Sequence, residues 1–141
     1  MQYKRFNDKY VLRVDKGEEV VETITTFCED KNIRLASISG IGATNNATIV
    51  LFESGKKLYH KETFADDMEI LSLTGNISTK DDKPYIHLHI ILSTSDHKAI
   101  GGHLNSAIIS VTCEIVLTII GTGETVYREF NEEIGLNLFK F

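Results

Sequence analysis

An α+β fold, a mostly antiparallel β-sheet packed with one principal helix, is what this 141-residue sequence predicts. Three observations predict it. A single stretch, "EEVVETITTFCEDKNI", carries apolar residues at helical spacing. The chain after Arg34 is instead a succession of β-branched and aromatic runs punctuated by Gly, Asn, Asp and Ser. Within "PYIHLHIILS" the alternation is strict: Ile86, Leu88, Ile90 and Leu92 face one way, His87, His89 and Ile91 the other.

The elements follow in order. Tyr10 to Val14 reads as a short strand ended by a turn at Asp15 to Gly17. The helix comes next, with acidic residues at its start and Val20, Val21, Ile24, Phe27 and Cys28 along one side. "RLASISGIGATNNATIVLFE" reads as a strand, a Gly/Asn turn and a second strand. "KKLYHKETF" and "MEILSLTGNIS" are two further strands, separated by the acidic turn at Asp66 and Asp67. "PYIHLHIILS" follows, then "AIISVTCEIVLTII", so rich in β-branched residues that a long strand is favoured over a helix. "VYREF" and "LNLFKF" close the chain as short extended pieces. With no repeat and no linker-like composition, residues 1–141 form one expected domain, long enough to bury its own core.

Composition narrows the function classes. A formal net charge of −5 argues against a general polyanion binder, whose affinity rests on clustered Lys and Arg. Cys28 and Cys113 are far apart in sequence and form no metal or redox spacing. The N-terminus lacks an apolar signal core, and the longest apolar run is interrupted by Ser110, Thr112, Glu114 and Thr118. A cytoplasmic protein without membrane association is expected. "SGIGAT" and "GTGETV" lack the strand and helix context of a dinucleotide site and read as turns.

The histidines carry the chemistry. Two residues apart on a strand, His87 and His89 project from one face about 6.5–7 Å apart at their Cα atoms. After thirteen intervening residues and a turn at "STSDHKA", the returning chain can set His103 beside them, with Gly101 and Gly102 allowing close backbone approach. Three imidazoles with a fourth position open make a zinc-type arrangement for holding water or a substrate oxygen. The competing reading is that each histidine is a half-buried residue satisfied by its own hydrogen bonds. His60 and His97 have no comparable partner and read as surface residues. Glu114, inside an apolar strand, and Glu69 are the carboxylates to examine as proton carriers; for Glu114 an outward-facing position on an alternating strand is the simpler account.

"EILSLTGNIS", "KPYIHLHIILSTSDHKAIGGHL" and "VTCEIVLTIIG", in that order and spacing, resemble the stand-alone bacterial and archaeal form of the PPC (plant and prokaryote conserved, also PCC) domain. The resemblance runs from "YVLRVDKGEEV" to "REF", and the "HLHIILS…GGHL" block is its specific part. It implies a PPC-like antiparallel sheet with one main helix, assembly as a homotrimer, and a metal ion held by His87, His89 and His103. It also brings the DNA-binding description that prokaryotic members commonly carry. In plant relatives an AT-hook supplies the DNA contact, and this chain has no Arg-Gly-Arg core of that kind.

Three functions are therefore expected in descending order. The first is a trimeric binding or regulatory protein with a divalent metal, zinc by default, and room for a small-molecule ligand. The second is a metal-dependent hydrolase or lyase on a small molecule. The third is DNA binding, disfavoured by the missing AT-hook and the acidic chain.

Overall fold

A computed structural model describes residues 1–121 and 123–141. It contains nine strands and one α-helix among the described residues: β1 (Gln2–Phe6), β2 (Lys9–Asp15), α1 (Val20–Asp30), β3 (Ala36–Glu53), β4 (Leu58–Phe64), β5 (Met68–Lys80), β6 (Lys83–Ser93), β7 (Ala99–Ile119), β8 (Tyr127–Asn131) and β9 (Leu136–Lys140). The α+β class expected from the sequence is observed, with antiparallel pairing dominant.

The long strands organise the sheet. β3 runs antiparallel to β7 from Ala36↔Ile119 to Val50↔His103. Its other edge pairs with β5 as far as Thr44 and with β4 from Ala47 onward. β6 lies between β5 and the first residues of β7. Strands β3, β5, β6 and β7 thus close into a ring, which leaves fewer unpaired backbone edges than an open sheet. β2 extends the sheet from the far half of β7, β1 pairs with β2, and the β8–β9 hairpin joins β5 through Thr79↔Tyr127.

Helix α1 forms where the sequence places its apolar stripe. Val20, Ile24, Phe27 and Cys28 are buried against β6 and β7. Its start is fixed by Glu19, whose carboxylate accepts from the backbone N–H groups of Val21 and Glu22 and also from Ala107 on β7. One side chain therefore satisfies two orphan donors of the helix and ties it to the sheet. Leu88, Ile90 and Leu92 are at most 1% exposed and point to this core, so the opposite face of β6 carries His87 and His89.

Two expectations change. "SGIGATNN" does not form a turn; β3 continues through it as one 18-residue strand with register shifts at Gly40/Gly42 and Thr44/Asn46. The bend is satisfied locally: buried Thr44 donates its hydroxyl to the Ile108 carbonyl at 2.6 Å and accepts from the Asn46 N–H at 3.3 Å. Gly and Asn residues that suggest a reversal in sequence serve here as bulges that bend a strand and change its partner. β7 likewise begins at Ala99 rather than near Ala107, so Gly101, Gly102 and His103 lie in the ladder. Among the described residues, no helix is long and apolar enough to cross a membrane.

Candidate metal centre

The β6–β7 hairpin builds the site. β6 ends at Ser93, and the turn is closed by Thr94 N–H to the Lys98 carbonyl at 3.0 Å and His97 N–H to the Thr94 carbonyl at 2.9 Å. That turn length sets the register, and the register makes His89 and His103 direct cross-strand partners. His87, two residues before His89, shares their face by strand alternation. Gly101 is required for the approach: a Cβ there would stand 2.5 Å from the Ile90 carbonyl oxygen. On the other side of β6, Gly75 of β5 packs so tightly that a Cβ would collide with the His87 carbonyl oxygen and lie 2.9 Å from Leu88 Cα.

The three rings meet. Their centroids are 5.3 Å apart for His87–His89, 5.2 Å for His87–His103 and 5.6 Å for His89–His103. One nitrogen from each lies within 4.8 Å of the others. A point equidistant from three atoms at that outer separation is at most about 2.8 Å from each, against about 2.0–2.1 Å for a zinc–imidazole bond. Loading an ion therefore requires the three nitrogens to draw in by at most about 0.8 Å each.

The electrostatics suit a cation bound by neutral ligands. Burial pushes the His87 pKa down to about 4, assisted by the His103 ring, the Arg128 guanidinium and His89. His103 is lowered too, by burial and then by His89. Both rings are therefore unprotonated at neutral pH, the form that ligates. Arg128 approaches His87 Nδ1 at 3.5 Å, beyond the normal hydrogen-bond range, so it acts by charge and does not fix the tautomer. The donor set fits a borderline metal such as zinc; when bound, the ion would supply Lewis acidity at its remaining position.

The rings line a cavity of about 440 Å³ whose other walls are Val50, Leu51 and Phe52 of β3, Tyr59 of β4, Tyr85 of β6, and Leu136, Asn137 and Leu138 of β9. The remaining residues singled out from sequence lie elsewhere. Glu69 is exposed and sits five residues along β5 from Thr74, the partner of His89, which is roughly 16 Å of strand. Glu114 is exposed and lies eleven residues along β7 from His103. His60 is exposed on β4, 2.8 Å from the Glu53 carboxylate, and His97 occupies the β6–β7 turn with φ of 59°. Cys28 and Cys113 are buried, with thiols pushed up to about 12 by burial, so neither offers a thiolate ligand.

Sequence reasoning missed Arg128. It donates to Ser78 Oγ at 2.7 Å, Asn76 Oδ1 at 3.0 Å and the Asn137 carbonyl at 2.9 Å, and it lies over the rings of Tyr85 and Phe139. The available signal was an arginine set among aromatic residues in "VYREF", which no spacing rule connects to His87.

A small α+β domain with three histidines gathered on the outer face of a hairpin defines the class of protein. The chain belongs to the Plants and Prokaryotes Conserved (PCC) domain family, whose profile matches residues 1–121. The fold resembles that of a Bacteroides thetaiotaomicron protein whose name assigns it provisionally to DNA binding, with 38% identity, a TM-score of 0.95, and coverage of 99% of this chain and 96% of that one. It also resembles a structure described as a metal-containing protein of Archaeoglobus fulgidus, again 38% identical, with a TM-score of 0.89 and coverage of 100% and 99%. A curated relative, the bifunctional protein GlmU of Synechococcus sp., is 26% identical over 110 residues, or 77% of this chain; the match spans 16% of that protein's length.

Proposed function

We propose that this chain is a homotrimeric PCC-domain binding or regulatory protein in which His87, His89 and His103 hold a divalent metal, zinc first among the candidates. The observation that carries the reading is the convergence of three imidazole nitrogens within 4.8 Å. The metal-containing description of the Archaeoglobus relative, similar over the whole chain, supports it. The trimer is supported by an apolar strip on the outer sheet face: Val11 pairs with Val116, and Ile41, Leu71 and Val111 are 60%, 52% and 67% exposed. Covering such a strip with a second and third copy is the economical way to remove it from water.

A binding role ranks above catalysis because the two carboxylates nearest to a proton-transfer role by sequence, Glu69 and Glu114, stand away from the histidines. The enzymatic reading, a hydrolase or lyase, keeps one observation in its favour: the three rings open onto a cavity large enough for a small substrate. DNA binding, suggested by the name of the Bacteroides relative, meets a chain of net charge −5 that a trimer would carry three times.

The test is metal analysis and sedimentation of the purified protein. The expected result is close to one divalent ion per chain, a mass three times that of the chain, and a lower melting temperature after chelation. Metal-free protein whose stability ignores zinc would remove the ion from the account. Equal turnover by wild type and His89→Ala in a hydrolase and lyase screen would remove catalysis at this site, and a mobility shift at low salt would reinstate DNA.

A further inference from the structure

The family match ends at residue 121, but the histidine cavity does not. One of its walls is the β8–β9 hairpin, and that hairpin is fastened at both ends. At its base, Arg128 donates to Ser78, Asn76 and the Asn137 carbonyl while packed between the rings of Tyr85 and Phe139 at 4.7 and 4.2 Å. At its tip, Lys57 Nζ donates to the Glu132 carbonyl at 2.6 Å. A wall held this way contributes no metal ligand. It shapes the space beside the histidines.

The charges of that space are one-sided. The ligands are neutral imidazoles, no carboxylate lines the cavity among the described residues, and the Arg128 cation stands behind His87. A divalent ion held there keeps its full charge, so its remaining position favours an anion over a neutral donor. The walls select among anions. Arg128 is engaged by Ser78, Asn76 and Asn137 and no Lys or Arg lines the cavity among the described residues, so a dianionic phosphate would lack a cationic side chain to pair with beyond the metal. The rest of the lining carries no charge: Leu51, Phe52, Leu136 and Leu138 are apolar, and Tyr59, Tyr85 and Asn137 offer only neutral polar groups.

We infer that the cavity takes a small organic carboxylate, its head at the metal and its compact apolar body held between the β3–β4 wall and the β8–β9 hairpin. The inference rests on the proposed metal site. The hairpin is then a specificity element, with Leu136 and Leu138 its apolar contacts in the cavity.

The experiment uses the full chain loaded with cobalt(II), whose visible bands report on ligands at a three-histidine site. Benzoate and hexanoate are titrated beside acetate, inorganic phosphate and benzyl alcohol. The expected outcome is a saturable band shift with benzoate or hexanoate at concentrations at least ten-fold below those needed for acetate or phosphate, and none with benzyl alcohol. Leu136→Ala is expected to weaken benzoate at least five-fold while leaving acetate and cobalt affinity unchanged. No cobalt bands at all would overturn the metal site and this inference with it. Bands that form but ignore carboxylates, that respond equally to phosphate, or that fail to distinguish hexanoate from acetate would overturn the ligand class alone.

Discussion

Lowering the pH from 7.5 to 5.0 is expected to weaken metal binding far less than three ordinary histidines would allow. An imidazole with the usual pKa of about 6.5 is mostly protonated at pH 5, and over this interval competition from the proton reduces its ligand strength by a factor of about 30. Three such groups together would cost a factor of about 30,000. His87, with its pKa pushed down to about 4 by burial and then by its neighbours His103, Arg128 and His89, contributes a factor of only about 1.1. His103 is shifted in the same direction. The near-absence of the His87 share alone makes the loss about thirty-fold smaller than three ordinary imidazoles would give. Competition with a chromophoric zinc chelator at the two pH values measures this directly. NMR titration of the imidazole carbons in metal-free protein supplies the site-specific check, with a His87 midpoint near 4. The sign for stability follows from linkage: the folded pKa lies below the unfolded one, so the unfolded chain binds more protons between about 4 and 6.5. Metal-free protein should lose stability as pH falls through that window. A His87 midpoint at or above 6.5, or an affinity loss near the full 30,000-fold, would refute the burial argument.

Three further outcomes test the scaffold. Gly75→Ala drives a methyl into the β6 backbone at His87 and should destabilise the fold by about 1–3 kcal/mol in urea unfolding, with weakened zinc binding beside it. Glu19→Ala removes the acceptor for two helix N–H groups and for Ala107, and should cost about 1–2 kcal/mol without changing metal affinity. Leu73→Ala, at a fully buried position of β5, should cost about 3–5 kcal/mol by equilibrium unfolding.

Much of the fold was legible because it depends on short-range pattern. The stripe of Val20, Ile24, Phe27 and Cys28 specifies a helix whatever lies around it, and the alternation from Ile86 to Leu92 assigns His87 and His89 to the outer face before any partner is known. The failure at "SGIGATNN" has the same origin. Glycine and asparagine permit both a reversal and a bulge, and the choice was made by the partners: β7 along one edge, β5 and then β4 along the other.

The histidine site divides in the same way. Residue type and strand periodicity put two imidazoles on one face, and the glycine pair marked where a third could approach. Cross-strand register then brought His103 opposite His89, a matter of turn closure between Thr94 and Lys98. Arg128 reaches His87, and Leu136 the cavity, through a hairpin docked on β5, and no local rule forecasts such docking because its contacts span up to 75 residues of chain. Periodicity is written into neighbouring residues and can be read there. Ring closure, bulge placement and hairpin docking arise from the packing of distant segments, and that packing alone made a lined cavity out of three aligned histidines.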